Sequence, residues 1–160
     1  MIIVDSAKKF YRGIIDAGEV FQSFLLLALR LYWGYSFFQA GLGKLNHISN
    51  IAGTFASIGI PFPELNAYIV GYIECIGGAC LIAGFASRLV AIPLAIVMVV
   101  ALLTAHSNAT FNLINDPDEF INQAPFTYLL TSLIIFAFGP GVISVDFLLE
   151  KLFKNGGNKG

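Results

Sequence analysis

Charge is what this chain has least of. Asp, Glu, Lys and Arg make up 12% of its 160 residues, about half the share of a soluble domain. Acids and bases nearly cancel, at a net charge of -1, so no basic field draws nucleic acid and no acidic tail is present. Cysteine is also scarce. Cys75 and Cys80 stand five apart, which on a helix leaves their Cα atoms about 8–9 Å apart and pointing in different directions. They cannot bridge each other, and they lack the one-turn Cys-x-x-Cys spacing of a dithiol centre. Two thiols alone make neither a haem nor an iron–sulfur site. The two histidines, His47 and His106, have no companion at metal-ligand spacing. The acidic turn at Asp116, Asp118 and Glu119 lacks the twelve-residue calcium pattern. Phosphate loops, dinucleotide fingerprints and hydrolase nucleophile motifs are all missing.

Apolar residues fill the space instead, at 57%, with 15 phenylalanines and a mean hydropathy of +0.78. Four stretches stand out, at about 21–40, 66–84, 89–105 and 124–142. As helices each measures roughly 26–30 Å, the thickness of bilayer hydrocarbon. The third has no polar face, which argues against a soluble bundle. The expected fold is all-α, an integral membrane four-helix bundle formed by one domain over 1–150, with a polar tail at 151–160. Residues 1–20 are mixed and charged, unlike a signal peptide. They read either as an interfacial helix, with Phe10, Ile14 and Ala17 on one face and Lys8, Lys9 and Arg12 toward headgroups, or as plain leader. Basic residues flank the spans at Lys8, Lys9, Arg12, Arg88, Lys151, Lys154 and Lys159. The opposite loops hold Lys44 against Glu64, Asp116, Asp118 and Glu119. That asymmetry predicts cytoplasmic termini, with about 43–65 and 106–123 outside.

The short link at Phe85–Arg88 makes the second and third spans antiparallel neighbours. His47–Ile60 reads as a short helix ended by Pro61 and Pro63, lying in the interface, dipping between the spans or plugging the bundle top. Asp116–Asp118 reads as a turn, and Pro93 falls early in the third span, where it bends a helix slightly.

Two charges lie deep inside the apolar stretches, Arg30 and Glu74. An intramembrane charge must be hidden, paired or used. Arg30 shares a helical face with Gly34, Phe37, Gly41 and Lys44, and Trp33 lies alongside. Glu74 shares one with Gly71, Gly77 and Gly78. Depths counted from the span ends put the two charges roughly 5 Å apart in level, so a bidentate Arg30–Glu74 pair is expected. Such a pair either fixes packing or floors a polar pocket open to the outer side. Above it would gather Lys44, Asn46, His47, His106 and Asn108, with Trp33, Tyr68 and Tyr72 as aromatic walls. That set suits a quinone headgroup or a small anion. His106 has a better claim than His47, being attached to a rigid span.

At Arg30, GLGKL (41–45), GIPFP (59–63), ECIGG (74–78) and GFASR (84–88), the chain resembles the DoxX family over about 22–142. The resemblance implies a small, multi-pass bacterial inner-membrane protein with four spans, of a family named for a subunit linked to quinone oxidoreductases. It implies common charged and glycine positions at Arg30, Lys44, Glu74, Gly77 and Gly84. Four-span redox relatives that use paired cysteines are not matched here, so electrons would come from a partner protein. The leading expectation is a membrane subunit of an oxidoreductase system, in contact with the lipid bilayer and a redox partner. Quinone is its expected cofactor, near Arg30, Trp33, Lys44, Tyr72, Glu74 and His106, with Arg30, Glu74 and His106 as the catalytic set. A small-solute transporter or channel, which would need a homodimer, and a non-catalytic assembly subunit stand as alternatives.

Overall fold

The computed structural model describes residues 2–156, with side chains over 10–154. All the elements among them are helices: α1 (Ile2–Asn46), α2 (Ile48–Ser57), α3 (Pro63–Ala83), α4 (Ser87–Leu103), α5 (Ser107–Phe111), α6 (Pro117–Ile121), α7 (Ala124–Phe138) and α8 (Val145–Gly156). The four long apolar helices form a closed ring, α1 on α3, α3 on α4, α4 on α7 and α7 back on α1. Phe37, Leu81, Ala91, Leu94, Met98 and Ile135 fill its centre. Helix α3 is long and apolar enough to cross a bilayer, while α4 and α7 are apolar but shorter, at 17 and 15 residues.

Local chemistry sets the boundaries. Pro63 opens α3, where its missing N–H costs nothing. Gly84 closes it at φ 69, with its own N–H on Leu81 O and that of Phe85 on Cys80 O, the paired bonds of a Schellman stop. Ala86 then takes a left-handed φ of 47. A distant carboxylate holds it there: Asp146 accepts from the backbone N–H of Ala86 at 2.7 Å and of Ser87 at 3.0 Å. Asp146 thus caps α4, and its own N–H donates to Gly84 O. These contacts define a turn end of the bundle, stitched by α8. The opposite, capped end carries α2, α5 and α6.

Four expectations need correcting. The leader and the first apolar stretch are one unbroken helix, because no proline or cap interrupts residues 2–46. Residues 10–22 of it are exposed throughout, and the headgroup roles of Lys8 and Lys9 fall on side chains outside those described. The fourth apolar stretch is helical only to Phe138 rather than 142, since Gly139 and Gly141 adopt φ 80 and 79 around Pro140. Asp116 begins a helix instead of merely turning: its side chain accepts from Glu119 N–H as the cap of α6. The tail is helical as α8 to Gly156, while residues 157–160, Lys159 among them, lie outside the described residues. On α8, Lys154 pairs with Glu150 and holds that exposed carboxyl below its usual range; such a surface pair adds little to stability.

The expected short helix over 47–60 is present as α2, packed on α3. The closest packing in the bundle is the α1–α3 seam, built on glycine. A Cβ on Gly78 would lie 2.5 Å from Phe38 N and 2.6 Å from Gly34 O; one on Gly41 would strike Cys75 N and Gly71 O. Backbone meets backbone here, so nothing flexible can yield. Gly78→Ala should therefore cost about 1–3 kcal/mol. Gly13→Ala, where a Cβ meets nothing within 4 Å, should stabilise by up to about 1 kcal/mol. Paired unfolding measurements in detergent check the contrast.

Candidate functional site

Arg30 and Glu74 do not pair. The glycine seam sets the register of α1 against α3, with Gly34 facing Gly78 and Ile82, and Gly41 facing Gly71 and Cys75. Glu74 therefore stands near the level of Ala40, roughly 15 Å along the axis from Arg30. Side chains also lean toward the N-terminus of their own helix. In an antiparallel pair this tilts Arg30 toward the turn end and Glu74 toward the capped end. Span ends read from hydropathy mark depth too loosely to show this offset.

Arg30 is buried at the turn end, where its Nη2 donates to Ile143 O at 2.7 Å. Its guanidinium lies over Gly84, where a Cβ would collide with it. Arg30 Nε and Nη1, with Ser87 Oγ, are buried without a protein partner among the described residues; ordered water commonly completes polar sites of this kind. Arg30 therefore binds the α7–α8 link to the α3–α4 turn, away from the other expected site residues.

Glu74 finds Lys44 instead. Lys44 Nζ donates to Glu74 Oε2 at 2.5 Å, with the side chains 24% and 3% exposed. The tilt that separates Arg30 from Glu74 brings Lys44 down and Glu74 up. Above this pair opens a cavity of about 540 Å³, also lined by Asn66, His106 and Tyr128 among mostly aliphatic walls. Phe55 and Ile58 of α2 and Ile60 after it contribute to the lining at the capped end. The structure thus gathers Lys44, Glu74 and His106. Trp33 sits one ring back, edge-to-face on Tyr128 at 4.8 Å. Tyr72 and Tyr68 face outward, 54% and 41% exposed, because they lie on the flank of α3 opposite its glycines. His47 is exposed, its Nδ1 3.0 Å from Gly43 O, and Asn46 and Asn108 are exposed too.

Tyr128 was not anticipated. It packs edge-to-face on Phe37 and Trp33 and lines the cavity with Glu74. Its place one turn into an apolar stretch was the available signal. Asn66, in the first turns of α3, was equally readable as a polar residue on the cavity side. No group of three or more His, Cys, Asp or Glu side chains stands together among the described residues, and both cysteines are free.

The sequence pattern of the DoxX family matches residues 25–107. The chain belongs to the DoxX family. A Bacillus subtilis (strain 168) protein named "Putative oxidoreductase CatD" is 33% identical over 81% of this chain and 90% of its own. An uncharacterized Haemophilus influenzae protein is 30% identical over 80% of this chain and 85% of its own. An uncharacterized membrane protein of Mycobacterium tuberculosis is 28% identical over 79% and 82%. No solved structure matches the chain. The DoxX match includes Arg30, Lys44, Glu74 and His106 but stops short of Tyr128.

Burying one charge without its partner is far costlier than burying neither. Lys44→Met should lower stability by about 3 kcal/mol, reduced by the partial exposure of Lys44. Adding Glu74→Gln should restore most of that loss. A double-mutant cycle on thermal unfolding measures the coupling.

Proposed function

We propose that this DoxX protein is a four-span membrane subunit of an oxidoreductase system that binds a quinone headgroup above Lys44–Glu74. The carrying observation is a ligand-sized cavity with aliphatic walls and one buried, charged, hydrogen-bonding floor, the common anatomy of a small-molecule site. The B. subtilis relative's printed name supports the oxidoreductase context. The four-span reading draws support from exposed apolar side chains on all four ring helices, among them Phe24, Leu31, Ile76, Ile92, Leu133 and Phe136. Water would not tolerate such a girdle on a monomer. At 17 and 15 residues, α4 and α7 measure about 25 and 22 Å, a shortfall that local thinning of the bilayer accommodates.

Arg12, Arg88, Lys151 and Lys154 belong to the turn-end side, whereas Glu64, Asp116, Asp118 and Glu119 lie at the capped end. By the positive-inside rule the turn end is cytoplasmic, with both termini, and the cavity lies toward the outer side of a bacterial inner membrane. The whole of 1–150 then acts as one domain.

A bound quinone would supply the electron-carrying chemistry, and the residues present fit its headgroup. Lys44 is the donor for a carbonyl oxygen. Glu74, held by Lys44, keeps a proton acceptor at the floor. His106, at the rim, is placed to exchange protons with the outer side. Trp33 supports the wall through Tyr128. Arg30 serves this site only by holding the turn end together. Because Cys75 and Cys80 cannot form a dithiol pair on α3, a partner protein supplies the electrons.

Trp33 is the single tryptophan of the chain and stacks on a cavity-lining ring, which gives a direct readout. Titrating a short-tailed quinone should quench its fluorescence saturably. Lys44→Met should weaken that binding at least tenfold. Quenching that never saturates, or that is unchanged in Lys44→Met, would contradict the reading.

A further inference from the structure

We infer that the cavity is entered sideways, between α3 and α4 from the acyl chains, so that its ligand is a membrane-dissolved lipophile with a polar head. This inference rests on the ligand reading above and adds the route and the class of molecule. Helices α3 and α4 are joined by the short turn at Gly84–Ala86. They pack closely at Gly77, where a Cβ would lie 3.0 Å from the Leu94 side chain. Toward the capped end both helices line the cavity, α3 through Ile69, Val70 and Ile73 and α4 through Ile96, Val97 and Val100.

Some of these lining residues have two faces. Ile69 of α3 and Ile96 and Val100 of α4 line the cavity, yet they are 44%, 58% and 45% exposed. A side chain that belongs both to the cavity wall and to the outer flank of the bundle marks an opening in that flank. Ile69 lies about 9 Å along α3 from its start, at acyl-chain rather than headgroup depth. The edge is wholly aliphatic, which suits an alkyl or isoprenoid tail and offers water no hydrogen bond. On the aqueous side, Phe55 and Ile58 of α2 are half-buried against the cavity and act as an apolar roof. A water-borne solute would have to displace them. The polar groups inside, Lys44 and Glu74, therefore receive the head of an amphiphile whose tail remains in the gap.

The test uses the full chain in liposomes, with Trp33 quenching followed by stopped flow. The probes are a long-tailed quinone dissolved in the bilayer and a short-tailed, water-soluble analogue. Ile96→Phe with Val100→Phe narrows the gap, while Ile76→Phe, on an exposed part of α3 that does not line the cavity, controls for bulk at the lipid surface. Unchanged thermal unfolding confirms that each variant folds. Lateral entry predicts at least tenfold slower association of the long-tailed probe in the double variant and no change in the control. Equal rates in wild type and double variant, with quenching intact, would overturn the lateral route alone. No saturable quenching by either probe in wild type would overturn the ligand reading and the route together.

Discussion

The close approach of α1 and α3 governs everything else in this protein. Gly34, Gly41, Gly71 and Gly78 let two backbones touch, and a contact between backbones tolerates no slippage. Without a hydrophobic force between helices in lipid, such small-residue packing is what holds them together. The register it imposes decides which charges meet. Lys44 falls on Glu74, and Arg30 falls on the glycine turn at 84. One seam thus produces both a polar floor at one end of the bundle and a clamp at the other.

The two ends are consequently different kinds of structure. At the turn end, Arg30 and Asp146 tie two connections, the α3–α4 turn and the α7–α8 link, through backbone atoms: Ile143 O, Gly84 O and the N–H groups of Ala86 and Ser87. Side chains there serve the chain's own path. At the capped end the charges meet each other beside open volume, and the helices above them are short. A cavity whose polar floor stands on long helices rather than loops is a sound arrangement for binding. Membership of the DoxX family agrees with this division, since its matched stretch begins before Arg30 and ends just after His106.

Much of this was legible in the sequence, for identifiable reasons. Apolar stretches and glycine faces announced the helices of the ring, and Pro61 and Pro63 announced the end of α2. The polar residues of the site were visible because a charge inside an apolar run is conspicuous, and Lys44, Glu74 and His106 do share one cavity. Their partners were not visible. Pairing depends on helix register, and register depends on which glycine faces which, a matter of three dimensions. Counting depth from hydropathy edges erred by about two turns of helix, enough to exchange Lys44 for Arg30. Helix α8 went unread because its charged residues resemble a solvated tail, and only Asp146 reaching back to α4 reveals its purpose. Tyr128 was hidden for the opposite reason, as one aromatic among many.

The most direct test is which cation touches Glu74 in the membrane. Rotational-echo NMR on lipid-reconstituted protein can measure contacts from the Glu74 carboxyl carbon to lysine Nζ or to arginine side-chain nitrogens. A Glu150→Gln background removes the Lys154 pair. The account predicts strong dephasing from a lysine, at the contact implied by an N–O distance of 2.5 Å, that disappears in Lys44→Met. Dephasing from arginine nitrogen, surviving that substitution, would show that Arg30 reaches Glu74 and would contradict the register on which the site is built.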